Sequence, residues 1–328
     1  MSTILVTGGA GYIGSHIVKE LIHQGHWPIV FDNLQTGHRK AVKNAFLLEG
    51  DLADTTKLKE AFRSYPIHAV MHFAADCLVG ESVQNPLKYF NNNIKNGLQL
   101  IEMLEDFGVK KFVFSSSAAV YGEPKEIPIS EGHPCVPTNP YGETKWIFER
   151  ALQAFYDAGK LNFISLRYFN AAGADPEGEL GEDHSQETHL IPLVIKAALE
   201  EGSVPVYGKD YNTSDGTCVR DYIHVTDLAD AHILALRKLE EGNISGIYNL
   251  GNGNGYSVQE VIEAVKKVTG KKVTAVDSPR RPGDPARLVA SSEKIKEELG
   301  WIPRYPDLET IVESACRWHG DHPKGYDD

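Results

Sequence analysis

The chain has 328 residues, 41% of them hydrophobic and 24% charged, and a formal net charge of −12 at pH 7. That is an ordinary water-soluble globular composition, long enough for one large domain or two modest ones. The acidic balance and the lack of any basic run longer than two residues exclude a nucleic-acid surface, and no apolar stretch approaches a membrane span.

The first predicted strand, Thr3–Thr7, begins with no basic-then-apolar leader before it. It runs into Gly8-Gly-Ala-Gly11-Tyr-Ile-Gly14 and then a helical pattern with Ile13, Ile17 and Leu21 on one face. Strand, glycine turn and helix N-terminus make an anion site, because unpaired backbone N–H groups and the helix dipole point the same way. Gly8 permits the tight turn, Gly11 lets a pyrophosphate approach, and Gly14 lets helix and strand pack closely. A second apolar run, Trp27–Phe31, ends in Asp32, eighteen residues after Gly14. A carboxylate there suits adenosine ribose hydroxyls and repels a 2′-phosphate, which predicts NAD rather than NADP.

Further strands are expected at 46–50, 68–73, 111–115 and 162–168, with helices near 54–64, 86–106 and 141–158. Such alternation implies a parallel sheet with right-handed crossovers and ligands at the strands' carboxyl ends. Beyond Tyr168 the rhythm breaks. Residues 170–187 have a loop composition, followed by shorter elements: a helix near 188–200, runs at 204–207 and 222–225, another run at 246–250, a helix near 257–268, a run at 272–276 and two terminal helices. The tail from Asp321 is expected to fray. The fold class read from this is α/β: a Rossmann-type doubly wound parallel sheet with a smaller C-terminal α/β substrate lobe. The division is 1–170 for the NAD-binding domain and 171–328 mainly for the second lobe, with some segments returning to the first.

Tyr141-Gly-Glu-Thr-Lys145 opens a helix after Asn139-Pro140, and i, i+4 spacing puts phenol and ammonium on one face. A phenol is a poor base at neutral pH unless a positive neighbour favours the phenolate. Ser115-Ser-Ser117 ends a predicted strand, and a serine hydroxyl there can hydrogen-bond a reacting oxygen and pass a proton to the tyrosine. Alone, Tyr-x-x-x-Lys is common and reads as a solvated helix face; behind a nucleotide turn, and with the serine, it reads as catalytic. The four cysteines, Cys77, Cys135, Cys218 and Cys316, lie far apart and read as free thiols of a reducing compartment, which predicts the cytosol. The thirteen histidines show no metal-ligand spacing, so no metal is expected.

The glycine spacing and the Ser, Tyr, Lys order resemble the extended branch of the short-chain dehydrogenase/reductase superfamily. The runs Val6–His16, Asp32-Asn33, Gly50-Asp51, His72–Ala75, Val79–Val83, Asn91–Asn93, Ser115–Ala118, Pro140–Lys145, Arg167–Asn170, Gly216–Val225, Tyr248–Gly251 and Arg281-Pro-Gly-Asp284 together resemble the UDP-glucose 4-epimerase family over the whole length. The resemblance implies Tyr141, Lys145 and Ser117 as catalytic residues. It implies NAD contacts at Gly8, Gly11, Tyr12, Ile13, Gly14, Asp32, Asn33, Asp51, Leu52, Phe73, Ala74, Ala75, Asn93, Ser115, Tyr141, Lys145, Tyr168 and Phe169. For the UDP-sugar it implies Ser117, Tyr141, Asn170, His189, Leu190, Tyr207, Arg220, Tyr222, Arg281, Asp284 and Leu288. Two arginines suit a diphosphate, Asp284 ribose hydroxyls and Tyr207 the uracil ring; Arg220 also reads simply as an ion-pair partner of nearby acids.

The pattern departs in two places: Cys77 stands where many relatives carry lysine, and His189 where others carry asparagine. The implied reaction exchanges UDP-galactose and UDP-glucose through a transient 4-keto sugar with bound NAD, in a homodimer with no nucleic-acid or membrane partner. A 4,6-dehydratase needs an acid after the serine, and Ser117-Ala-Ala-Val-Tyr121 has none. A non-catalytic NAD-sensing protein is expected to lose the tyrosine or lysine, and both are present. Leu288 stands where a bulky tyrosine often closes the sugar pocket, which points to N-acetylated UDP-hexoses as further substrates. The bland alternative is that Leu288 merely packs beneath its loop.

Overall fold

In the computed structural model, which describes residues 1–242, 244–281 and 284–327, strands and helices alternate through the first half. They are β1 (Thr3–Thr7), α1 (Tyr12–His23), β2 (Trp27–Asp32), β3 (Phe46–Glu49), α2 (Thr55–Ser64), β4 (Ile67–His72), α3 (Val79–Gln84), α4 (Pro86–Tyr89), α5 (Gly97–Asp106), β5 (Lys111–Ser117), α6 (Pro140–Asp157) and β6 (Asn162–Tyr168). The second half holds β7 (Asn170–Ala172), α7 (Leu190–Leu199), β8 (Ser203–Tyr207), β9 (Val219–Arg220), β10 (Tyr222–His224), α8 (Val225–Glu240), β11 (Ser245–Leu250), β12 (Tyr256–Ser257), α9 (Val258–Thr269), β13 (Thr274–Ser278), β14 (Arg287–Leu288), α10 (Glu293–Leu299) and α11 (Leu308–Asp321).

Seven strands form one parallel sheet in the order β11-β6-β5-β4-β1-β2-β3. Its inner strands read as unbroken apolar runs because helices cover both faces: all five residues of β1 are buried. The strand order reverses beside β1, so the carboxyl ends of β1 and β4 flank the crevice where such sheets take ligands.

The run at 246–250, counted with the second lobe on sequence, is the seventh strand of this sheet. Its buried Tyr248, Asn249 and Leu250 pair with the otherwise open edge of β6. Helix α8 returns as well: Leu228, Leu236 and Leu239 share a core with Ile17, Val18 and Leu21 of α1. The second lobe has its own core, where α7, α9 and α11 meet through Val194, Ile195, Val261, Ile262, Ile311 and Val312. It carries a two-stranded sheet β13-β8 and a three-stranded one, β12-β9-β14.

Two expectations change. The helix expected over 86–106 is interrupted by a π-helical stretch, Phe90–Asn96. The wider turn aims Asn93 inward, where it accepts from the Asp76 N–H at 2.9 Å and reaches Thr144 Oγ1 at 3.1 Å. The tail expected to fray is packed instead: α11 runs to Asp321, and Tyr326 is buried, stacked on His38 and bonded to the Gly181 carbonyl at 3.1 Å. One aromatic ring supplies the anchor that the polar tail composition hides. Asp328 lies outside the described residues. Among the described residues no helix is long and apolar enough to cross a membrane.

Candidate active site

The glycine turn is shaped by close approach. A Cβ on Gly14 would stand 2.2 Å from the Gly8 carbonyl oxygen, so only glycine lets α1 start against the turn. Gly11 is the N-cap of α1 and offers no side-chain cap, and the first turn carries no acidic residue. The open N–H groups there are unfilled donors for an anion. Asp32 closes the turn from β2, accepting from the Ala10 N–H and the Leu34 N–H at 2.9 Å each. Burial pushes its carboxyl up from the usual range, against those two backbone bonds. Asn33 donates to Asp51 at 2.7 Å on the outer side, and Leu52 is buried beneath. Phe73, Ala74 and Ala75 follow β4 and are partly buried. Tyr12 donates to the Gly173 carbonyl at 2.7 Å, and Ile13 packs against the core beside it.

Ser115, Ser117, Tyr141, Lys145 and Tyr168 meet at the carboxyl ends of β5 and β6. Helix α6 begins where Asn139 caps the Gly142 N–H at 2.9 Å, with Pro140 in the first turn. A Cβ on Gly142 would lie 2.4 Å from the Ala119 carbonyl, so glycine is what lets Tyr141 approach the segment after Ser117. Burial raises the Tyr141 phenol well above its ordinary value, while the Ser117 hydroxyl bonded to it pulls the other way. Lys145 is 3% exposed and donates to the Ser115 carbonyl at 2.7 Å, its ammonium 4.9 Å from the Phe114 ring centroid and 5.8 Å from that of Tyr141. Burial lowers its pKa to about 8. Tyr168 bonds Ser115 side chain to side chain, and Phe169 follows it out of the sheet.

Apart from Ser117, Tyr141 and Asn170, the residues implied for a UDP-sugar come from the second lobe. Asn170 on β7 lies beside Tyr222 on β10 and donates to the Asp221 carbonyl at 2.8 Å. Arg220 and Asp284 pair with each other at 2.8 Å, so both candidate ligands are pre-set by one another. The Arg281 guanidinium lies 4.1 Å over the Tyr207 ring. Pro282 and Gly283 of that loop lie outside the described residues. Leu288 on β14 sits opposite Arg220 of β9 and packs on the cluster of Ala118, Val120, Tyr121 and Ile129. His189 occupies the N-cap position of α7, just before Leu190, without a side-chain capping bond; Glu182 raises its imidazole pKa to about 9, against burial.

Several residues escaped the sequence reading. Asp221 is buried and accepts from the N–H groups of Asn252, Gly253 and Ala290 at 2.8–3.0 Å, tying three loops behind the substrate side. Arg167 and Glu149 form a buried ion pair extended to Ser116, Tyr121 and Asn249. Cys77 is exposed, and Lys145 is near enough to act on its thiol, which places it at that side of the cleft. For Arg167 the only sequence signal was a charge inside the apolar strand β6; Asp221 falls between β9 and β10.

A dinucleotide turn after β1 and a Ser–Tyr–Lys cluster at the ends of β5 and β6, at one edge of a parallel sheet, define a nucleotide-dependent α/β enzyme that moves a proton and a hydride. The chain belongs to the NAD dependent epimerase/dehydratase family, which matches residues 4–251. The UDP-glucose 4-epimerase of Halalkalibacterium halodurans is 54% identical over 98% of this chain and 97% of its own. A crystal structure of a UDP-glucose 4-epimerase superposes with a TM-score of 0.97 at 53% identity, covering 99% of this chain and all of that one (100%). The Bifidobacterium longum UDP-glucose 4-epimerase, solved with NAD+ and UDP, gives 0.93 at 40% identity over 99% and 100% of the two chains.

Proposed function

We propose that the protein is a UDP-glucose 4-epimerase, interconverting UDP-galactose and UDP-glucose through a 4-keto sugar. The observation that carries this is the Ser117–Tyr141–Lys145 cluster at the carboxyl edge of the sheet, facing an uncapped α1. The turn fits NAD: Gly11 leaves the helix start bare, and Asp32 is fixed where ribose hydroxyls belong. Bound NAD+ supplies a reversible hydride acceptor.

The residues do the rest. Tyr141, as phenolate, takes the proton from the C4 hydroxyl, and Ser117 orients that oxygen. Lys145 favours the phenolate by its charge. Arg220 and Arg281 hold the diphosphate, Asp284 the uridine ribose and Tyr207 the uracil, so the hexose itself is gripped loosely and can turn. Asn170, His189, Leu190 and Tyr222 line the same side. Leu288 is smaller than a tyrosine that would close the sugar pocket, which supports UDP-N-acetylglucosamine and UDP-N-acetylgalactosamine as further substrates.

The reading also takes the protein as a cytoplasmic homodimer. Ile101, Leu104 and Leu152 are buried in the chain's own core and Ile147 is half-buried, but Val83, Leu87 and Leu98 of α3 to α5 are exposed apolar residues fit for a second copy. Light scattering at micromolar concentration tests this, and a monomer mass refutes it. The activity test is incubation of purified protein with UDP-galactose alone. UDP-glucose as product supports the epimerase, a 4-keto-6-deoxy product supports the dehydratase, and no turnover defeats both.

A further inference from the structure

The loop before α7 holds a further cluster of chemistry, which shares His189 with the proposed substrate side. Glu182, His184, Glu187 and His189 place one ligand atom each within 4.8 Å of one another. They belong to a single eight-residue stretch, so no long-range assembly is needed beyond folding this turn. Glu182 is buried, with both imidazoles directed at its Oε1. Glu187 is braced by accepting the N–H groups of Thr188 and His189 at 2.7 Å each, which leaves Oε2 facing His184. The two rings meet edge to face with centroids 5.4 Å apart, so both Nδ1 atoms look into the same space.

We propose that these four side chains form a binding site for a divalent cation of the zinc class. The distances favour that chemistry. In a tetrahedral site with bonds of ~2.0–2.1 Å, neighbouring ligand atoms stand ~3.3–3.4 Å apart. Here His184 Nδ1 lies 3.4 Å from Glu182 Oε1 and 3.3 Å from Glu187 Oε2. The contact between His189 and Glu182 is tighter and must open as an ion enters. Two imidazoles with two carboxylates suit zinc and its transition-metal neighbours; magnesium and calcium prefer oxygen alone. Two neutral imidazoles and two carboxylates balance a dication, so the buried Glu182 keeps a charge partner. The bound ion ties residues 182–187 to the start of α7.

The alternative is a cluster held by its own ion pairs, and metal titration separates the two. Chelator-treated full-length protein is titrated with Co2+ and, separately, with Zn2+. The site predicts one Co2+ per chain with the visible absorption of a four-coordinate ion, displaced by Zn2+. It also predicts that zinc raises the melting temperature by on the order of 5 °C. His184→Ala and Glu187→Gln should each lose the cobalt spectrum and the zinc shift while melting cooperatively without metal. Turnover of UDP-galactose in metal-free His184→Ala should match metal-free wild type. No stoichiometric cobalt uptake overturns the proposal, and so does a cobalt spectrum unchanged in both variants.

Discussion

The Lys145 ammonium stands 5.8 Å from the centroid of the Tyr141 ring, one turn further along the same helix. It bonds the Ser115 carbonyl at 2.7 Å, and burial holds its pKa down at about 8 against an ordinary 10.5. Since the folded value lies below the unfolded one, burying the charge costs stability in full below about pH 8, and the cost fades as pH rises towards 10.5. That difference corresponds to about 3 kcal/mol. Loss of the single hydrogen bond takes back about 1 kcal/mol. Lys145→Met is therefore expected to gain ~1–2 kcal/mol at pH 7 and to lose at least ~100-fold in turnover. Denaturant melts beside product assays check both, and a less stable variant would show that this charge is not strained in place.

Tyr141 and Tyr168 are two phenols at one site, and they should respond differently. Tyr141→Phe removes the proposed base and should slow turnover by ~100- to 10,000-fold, with UDP affinity within about twofold. Tyr168 is committed to Ser115 and should matter far less, with about a tenfold loss for Tyr168→Phe. Product formation from UDP-galactose and calorimetric titration with UDP separate chemistry from binding. Near-normal turnover in Tyr141→Phe would transfer the base role elsewhere.

The glycine turn, Asp32 and the Tyr141–Lys145 pair were legible because local chain geometry alone places them. A strand end, a helix start and i, i+4 spacing need no tertiary information. The return of β11 to β6 was not legible, since Gly246–Leu250 pairs with a strand some eighty residues earlier. The π-helical stretch depends on Asn93 finding Asp76 and Thr144, which one-dimensional periodicity does not encode. Nor does spacing reveal that Arg220 and Asp284, both expected on the ligand, already hold each other.

Acid should unfold this protein early. His16 and His232 have pKa values lowered by burial to about 4, and His72 and His224 to about 3. Their folded values lie below the unfolded 6.5, so their stability is complete above pH 6.5 and is lost as pH falls towards 4. Each gives up about 2 kcal/mol between pH 7 and 5. Asp227 and His189 oppose them, because burial raises the first to about 6 and Glu182 raises the second to about 9, but each returns only about 1 kcal/mol over that range. The four histidines of lowered pKa win. The melting midpoint should fall by on the order of 10 °C between pH 7 and 5, and His232→Leu should flatten the slope by about a quarter. A midpoint that does not move across this range would show that other groups cancel them.

The proposed breadth for N-acetylated sugars rests on Leu288. Its carbonyl takes the Asp221 N–H at 3.0 Å, and its side chain packs with Phe169 on the apolar cluster that follows Ser117. The backbone on either side is held too, since Ala290 donates to the Asp221 carboxylate at 3.0 Å. The position is therefore a fixed wall, and side-chain volume there is not absorbed by a moving loop. If the position lines the proposed sugar pocket, a tyrosine in place of leucine narrows it by a ring's width. Steric exclusion of a group a few atoms in size is worth ~1–3 kcal/mol in a defined pocket. Leu288→Tyr should therefore lower kcat/KM for UDP-N-acetylgalactosamine by ~10- to 100-fold and leave UDP-galactose within about threefold. Parallel kinetics on both substrates, in wild type and variant, measure the ratio. If wild type does not turn over the acetylated sugar, the pocket is closed by another residue. If the ratio stays constant on substitution, Leu288 packs beneath its loop and does not gate the sugar.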